Sequence, residues 1–149
     1  MEENKFSVSL LIASPPDIVY RIIADYKNSH PKILPNPPFI SLVIEEGGFG
    51  AGTVMTVIMK VFGKEQKFKS IVTEPEPGHL LVETNDTGYI TTFKVEPRDG
   101  GRESFVTFTT EIGTNSKLSK RVEFFLSKMY LPLVYKKELE NLSKFAQQK

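Results

Sequence analysis

The sequence has no cysteine and only two histidines among its 149 residues. Without cysteine, disulfides, thiolate metal sites and cysteine nucleophiles are excluded. His30 and His79 lie in separate segments with no matching carboxylate spacing, so we expect no metal ion and no other cofactor. A nucleophile elbow and a glycine-rich loop that opens a helix are also missing. The sequence therefore names no catalytic residue, and whether the protein is an enzyme stays open at this point.

Long hydrophobic runs are missing too. None approaches the ~20 apolar residues of a membrane-spanning helix. The apolar run 8–13 is short, and the chain begins Met1-Glu2-Glu3 where a secretory leader would be basic. We therefore expect no stable membrane insertion, no leader and a cytoplasmic location. The hydrophobic fraction of 40% and charged fraction of 25% predict one globular domain spanning residues 1–149.

The net charge is only +1, but residues 114–149 hold eight Lys/Arg and three Glu. A basic helix can bind anionic membranes or nucleic acid. These basic residues are spread around the helix, which favours an ordinary solvated face. In Lys67-Phe68-Lys69 the aromatic ring and the charges fall on opposite faces of a strand, which argues against a base-stacking platform. We expect no nucleic-acid partner, and the sequence names no protein partner.

The stretch 115–148 predicts one long helix, with Asn115 or Ser116 as its N-cap and Pro132 as its only proline. Two apolar stripes follow helical spacing. The first comprises Leu118, Val122, Phe125, Met129 and Leu133, and the second Tyr135, Leu139, Leu142 and Ala146. The stripes lie roughly 100° apart around the axis. We therefore predict that both are buried and that the helix bends within one turn of Pro132.

The rest of the chain reads mainly as strands. Alternation over residues 6–12 predicts the first strand, and Ser14-Pro15-Pro16-Asp17 starts a helix with Ser14 as N-cap. A short helix over 29–34 follows. Six more strands are predicted at 39–45, 53–62, 66–74, 79–85, 89–96 and 103–112. Short turns between consecutive strands predict an antiparallel meander. The fold class is α+β, with six or seven strands wrapped around the C-terminal helix.

This order of elements resembles a known superfamily. The matching stretches are 8–26, Gly50-Ala51-Gly52-Thr53, Glu74-Pro75-Glu76-Pro77 and 100–109. They make the chain similar to the START/Bet v 1-like (SRPBCC) superfamily with its helix-grip fold, and within it to the polyketide cyclase/dehydrase and lipid-transport group. The resemblance implies a cavity between the inner face of the sheet and the C-terminal helix.

The residue pattern supports such a cavity, with a closed core as the alternative. One sheet face is rich in methionine, phenylalanine and valine with a few hydroxyls and amides, while Lys60, Lys67 and Lys69 occupy the other. Methionine side chains adapt to irregular ligands. The predicted ligand-binding residues are Met55, Val57, Met59, Gln66, Phe68, Ser70, Thr91, Phe93, Phe108, Val122, Phe125 and Met129.

Three functions follow as hypotheses. The first is binding or transport of a small hydrophobic or amphipathic molecule, such as a lipid, isoprenoid or polyketide-like compound. The second is a cyclase or dehydratase with His30 or a tyrosine as acid or base, which a paired acid and base facing one cavity would favour. The third is a protein-interaction module of chaperone-activator type, which a closed core would favour.

Independently of these hypotheses, the local sequence predicts that the side chains of His30 and Glu83 lie at the surface.

Overall fold

The computed structural model describes residues 4–61, 63–113 and 118–149, with the backbone alone for 118–121. Its strands are β1 (Lys5–Ile12), β2 (Phe39–Glu46), β3 (Val54–Val61), β4 (Lys64–Glu76), β5 (Leu80–Asn85), β6 (Tyr89–Arg98) and β7 (Glu103–Ile112). Its helices are α1 (Pro16–Ala24), α2 (His30–Ile33), α3 (Leu118–Ser127) and α4 (Leu131–Ala146). The N-cap of α1 is Pro15, one residue after the predicted Ser14.

The seven described strands form one antiparallel sheet in the order β1-β7-β6-β5-β4-β3-β2. β2 to β7 follow one another as a meander, because short turns can only join antiparallel neighbours. β1 pairs with β7, so β1 and β2 lie at opposite edges although α1 and α2 alone separate them in sequence. α4 contacts β1, α1 and α2. The predicted helix-grip architecture is confirmed.

The register of the sheet decides which side chains face inward. Val57 of β3 pairs with Phe68 of β4, and both belong to the core. Lys67 and Lys69, on either side of Phe68, are exposed. Since side chains alternate along a strand, a slip by one residue would invert every face. The predicted register of β3 and β4 is therefore confirmed.

The loop before β3 is held against α1 by one carboxylate. Glu74 accepts hydrogen bonds from the Tyr20 hydroxyl at 2.6 Å and from the Ala51 backbone N–H at 2.7 Å. Gly50 lies between them with φ +61°, and a Cβ there would come within 2.3 Å of Glu74 Oε1. Only glycine fits both the backbone angle and the space. The Gly-Ala-Gly-Thr and Glu-Pro stretches therefore stabilise the contact between α1, the loop before β3 and β4.

The C-terminal segment is two helices, where one bent helix was predicted. α3 ends at Ser127, α4 begins at Leu131, and Pro132 lies in the first turn of α4. A proline is tolerated there, because the first backbone N–H groups of a helix have no intrahelical partner. The predicted irregularity within one turn of Pro132 is confirmed. The second stripe is buried as predicted, and α4 spans about 24 Å.

The first stripe is not buried. Val122, Phe125, Met129 and Leu133 are 51%, 64%, 76% and 67% exposed. Phe124 is buried in their place and packs its ring against Phe6 and Tyr89. Apolar residues occur on several sides of this segment, so periodicity alone could not choose between Phe124 and its neighbour. Leu118 has no described side chain, and the predicted N-cap, Asn115 or Ser116, lies outside the described residues.

A matched pair of leucines tests this assignment. Leu142 is fully buried in α4, whereas Leu133 of the same helix is two-thirds exposed. We expect Leu142→Ala to lower the free energy of unfolding by about 2–5 kcal/mol, because it leaves a cavity. Leu133→Ala should change it by less than about 0.5 kcal/mol. Urea denaturation of both variants measures the difference, and equal losses would show that the stripe at Leu133 is buried after all.

Candidate functional site

A cavity of about 100 Å³ lies between the inner face of the sheet, α2, α3 and α4. Its walls are mostly apolar and aromatic, with a few hydroxyl, amide and carboxyl groups among them. Outside the sheet, the lining includes Leu34 directly after α2 and, from the helices, His30, Glu123, Ser127, Leu131, Tyr135 and Glu138. The core is therefore open, and the closed-core alternative is wrong.

Eight of the twelve predicted ligand-binding residues line this cavity. They are Met55, Val57, Met59, Gln66, Phe68, Ser70, Thr91 and Phe93. They come together because they occupy the inner face of β3, β4 and β6, which the alternation of each strand identified. The structure holds no ligand contact, so their contact with a ligand stays a prediction.

The other four predicted residues lie elsewhere. Phe108 is fully buried but sits behind the lining, with its ring edge-on to Phe93 at 4.7 Å. Val122, Phe125 and Met129 are exposed, so their placement in the cavity is wrong. α3 turns a different face inward, which supplies Glu123 and Ser127 to the lining. The error has the same cause as the misplaced stripe.

A chain of hydroxyl groups crosses the floor of the cavity. Thr91 of β6 is paired across the sheet with Glu83 of β5 and with Thr110 of β7. The Thr91 and Thr110 hydroxyls are 3.0 Å apart, and Thr110 donates to the Tyr135 hydroxyl at 2.9 Å. Burial raises the pKa of Tyr135, so this phenol stays neutral. The floor thus offers neutral donors and acceptors.

His30 is the first functional residue that the sequence misplaced. It is 2% exposed, and its ring stacks on Tyr26 with centroids 4.5 Å apart. Nδ1 lies 2.6 Å from the Ile23 carbonyl oxygen. A carbonyl only accepts, so Nδ1 carries the proton and Nε2 presents a lone pair. Burial lowers the pKa of His30 to about 4, outweighing the Ile23 carbonyl and Asp25, so the ring is neutral at pH 7.

Glu138 faces this lone pair. Its Oε2 is 3.8 Å from His30 Nε2, and its side chain makes no hydrogen bond within the described residues. Glu138 is 2% exposed. Burial raises its pKa well above the usual value, and the nearby Glu83 adds to the effect. The proton of this pair therefore resides on the carboxyl group, and both partners are neutral.

Glu83 is a second carboxyl group in the cavity, where an outer-face position was expected. The Tyr26 hydroxyl donates to its Oε2 at 2.6 Å. The side chain is half-buried, and it lines the cavity. Burial raises the pKa of Glu83 to about 7, against the opposing effect of the Tyr26 hydrogen bond. Glu83 therefore changes its charge near neutral pH.

One sequence signal would have found Glu138. It lies three residues after Tyr135 and four before Leu142, on the buried stripe of α4. A carboxyl on a buried helical face is costly unless it is neutral or paired, which marks it as a functional candidate. His30 had no such signal, because the loop 25–29 that places it shows no periodicity.

Residues 3–146 match the model of the family described as polyketide cyclase / dehydrase and lipid transport. The chain belongs to this family. No curated protein sequence matches the chain. Within the described residues, no group of three or more His, Cys, Asp or Glu could hold a metal ion. No described helix is long and apolar enough to cross a membrane.

Several solved structures of other proteins have the same fold as this protein. The KanY protein, known from NMR, is 26% identical with a TM-score of 0.81, and 99% of each chain is covered. Ara h 8.0201 is 18% identical with a TM-score of 0.63, covering 97% of this chain and 98% of that one. The di-domain ARO/CYC StfQ from the steffimycin biosynthetic pathway is 17% identical with a TM-score of 0.70, covering 99% of this chain and 52% of that one. The Bet v 1-like (SRPBCC) assignment made from the sequence is confirmed.

The pKa of Glu83 predicts how this family member responds to pH. Between about pH 4.5 and 7, the folded state holds a proton that the unfolded chain has lost. Glu83 therefore lowers the free energy of unfolding as pH rises through this window. Glu83→Gln keeps the acceptor for Tyr26 but cannot ionise. We expect equal stability at pH 4.5, and at pH 8 a variant more stable than the natural protein by about 1–3 kcal/mol.

Denaturant titrations at several pH values measure this difference, with the exposed Glu65→Gln on β4 as the control. His30 and Glu138 are present in every variant, so their own pH dependence cancels to first order. Parallel curves for the natural protein and Glu83→Gln would contradict the raised pKa.

Proposed function

We propose that the protein binds a small hydrophobic or amphipathic molecule in the cavity between the sheet and α4. The observation that supports it is a mostly apolar internal space with a few polar groups on its walls, the composition typical of small-molecule pockets. The apolar walls would supply affinity and the polar groups would orient the ligand. The third hypothesis, a chaperone-activator module, would be favoured by a closed core, which the cavity does not provide, and it is not proposed.

The size of the cavity narrows the ligand class. At about 100 Å³ it is smaller than the ~300 Å³ of typical drug-sized pockets. A compact isoprenoid or aromatic polyketide-like compound fits such a space better than a long-chain lipid. The family description and the ARO/CYC neighbour support this class.

A cavity-filling substitution tests the binding site. Ser70 lines the cavity and is 2% exposed, while Ile71 beside it points outward and is 51% exposed. Ser70→Phe should abolish binding of geraniol or naphthol, because the new ring occupies their space. Ile71→Phe, which adds an aromatic ring to the same strand, should leave the Kd within about threefold. The measurement is a heteronuclear NMR titration of each variant.

Thermal unfolding of each variant checks that it folds. Binding that persists in a folded Ser70→Phe variant would place the ligand elsewhere and contradict the proposal. Loss of binding in Ile71→Phe as well would show a general disturbance of β4.

A second function is favoured by the Glu138 and His30 pair, because a paired acid and base facing one cavity suits a dehydratase or cyclase. In a β-hydroxy ketone, His30 Nε2 would remove the proton next to the carbonyl group. Glu138 would protonate the leaving hydroxyl, so a C–H and a C–O bond break, a C=C bond forms and water departs. The proton then returns from His30 to Glu138, which restores both groups. Each residue has the protonation state that its step requires.

The aldol adduct of benzaldehyde and acetone tests this activity, since its dehydration gives the ultraviolet-absorbing benzylideneacetone. Glu138→Gln and His30→Gln should each lower kcat by about 100-fold or more, the usual contribution of a positioned acid or base. Glu140→Gln, two residues further along α4, is the control. Absence of turnover by the natural protein, or full activity of Glu138→Gln, would count against an enzyme of this kind.

A further inference from the structure

The charged-type side chains that line the cavity are acidic. Three carboxyl groups line it, those of Glu83, Glu123 and Glu138. Among the described lining residues there is no lysine or arginine, and His30 is neutral. A ligand carrying a carboxylate or phosphate would therefore find no positive partner here and would meet groups that can become negative.

Two buried polar groups in the lining are poorly satisfied. The carboxyl of Glu138 is almost fully buried and makes no hydrogen bond within the described residues, with His30 Nε2 3.8 Å away. The buried hydroxyl of Tyr89, on the same cavity, makes no hydrogen bond of good geometry with a described residue, and Ser127 is its polar neighbour. An unsatisfied buried polar group costs roughly 1–3 kcal/mol. A ligand that hydrogen-bonds to these groups would remove this cost, and the absence of lysine and arginine from the described lining favours a cationic group over an anionic one.

We propose that the ligand is a primary or secondary amine with an apolar body, and that its ammonium group binds between Glu138 and Glu83. This rests on the proposed function, since it specifies the ligand of the same cavity. An ammonium group has only donors, so it complements carboxylate oxygens, which only accept once the proton of Glu138 is displaced.

Binding of an ammonium group would also move a proton. Glu138 faces Glu83 of β5, His30 of α2, Tyr26 after α1 and Tyr135 of its own helix. All of these except Glu83 are neutral at pH 7, and Glu83 is partly ionised. A cation beside Glu138 favours its charged form and displaces its proton. Amine uptake near pH 7 should therefore release about one proton, and affinity should rise from pH 6 to 8.

Three compounds of matched length test the proposal, namely octylamine, octanol and octanoate, each kept below its micellar concentration. Calorimetric titration at pH 7 should give a Kd for octylamine at least tenfold lower than for octanol, with octanoate weakest. Repeating the octylamine titration in two buffers of different ionisation enthalpy measures the released proton. A ligand held by apolar contact alone would release none.

Variants assign the preference to the two carboxyls. Glu138→Gln should raise the Kd of octylamine at least tenfold and leave that of octanol within threefold. Glu83→Gln should have a smaller effect in the same direction, and Glu140→Gln, outside the lining on α4, should have none. If octylamine keeps its advantage in both cavity variants, the ammonium binds elsewhere and the proposal is wrong.

The outcomes separate this inference from the proposed function. If octanol binds in the cavity and octylamine binds no better, or octanoate binds best, the amine proposal fails and the binding proposal stands. If none of the three binds but geraniol does, the amine proposal alone fails, and if geraniol does not bind either, both fail. Sensitivity of octanol binding to Ser70→Phe shows that the cavity itself is being measured.

Discussion

The constraint on which this site depends is the cost of burying a charge. Ionised carboxylates and imidazolium groups are strongly solvated, and an apolar interior offers no equivalent stabilisation. The protein buries Glu138 and His30 side by side without a close hydrogen bond between them. The arrangement of lowest free energy is the neutral one, with the proton on the Glu138 carboxyl and none on His30 Nε2. The cavity therefore holds a protonated carboxyl, which can act as an acid, beside an unprotonated imidazole nitrogen, which can act as a base. In a charged pair the proton would lie on His30, and neither group could act in that way.

Each of the three polar groups is positioned by a different element of the fold. His30 is held by the Ile23 carbonyl of α1, and Glu83 by the Tyr26 hydroxyl. Glu138 is carried by α4, whose buried face packs on β1 and on α1 and α2. His30 and Glu83 are therefore held in place by hydrogen bonds before any ligand arrives, which lowers the cost of ordering them on binding.

The strands, their register and the break near Pro132 could be predicted from sequence, because each depends on local alternation or on one residue's geometry. The eight lining residues on β3, β4 and β6 followed from the same alternation. The polar centre was only partly predictable in that way. Glu83 alternates with the buried Leu81 and pairs with Thr91 across the sheet, so alternation places it on the inner face, although it was expected on the outer one. His30 reaches the cavity through a loop without periodicity. The environment of both groups is a long-range property, set by the contacts of His30 with Phe93 and of Glu83 with Tyr26.

α3 turns a different face toward the cavity from the one that the sequence predicted. An amphipathic helix normally buries its apolar face, yet α3 turns Glu123 and Ser127 toward the cavity and leaves Phe125 and Met129 exposed. Among the described side chains of α3, Phe124 anchors it through aromatic contacts with Phe6 and Tyr89. These described side chains bury less apolar surface than those of α4, so burial holds this part of α3 less firmly. A ligand that needs more room than the cavity offers is therefore expected to gain it on the α3 side.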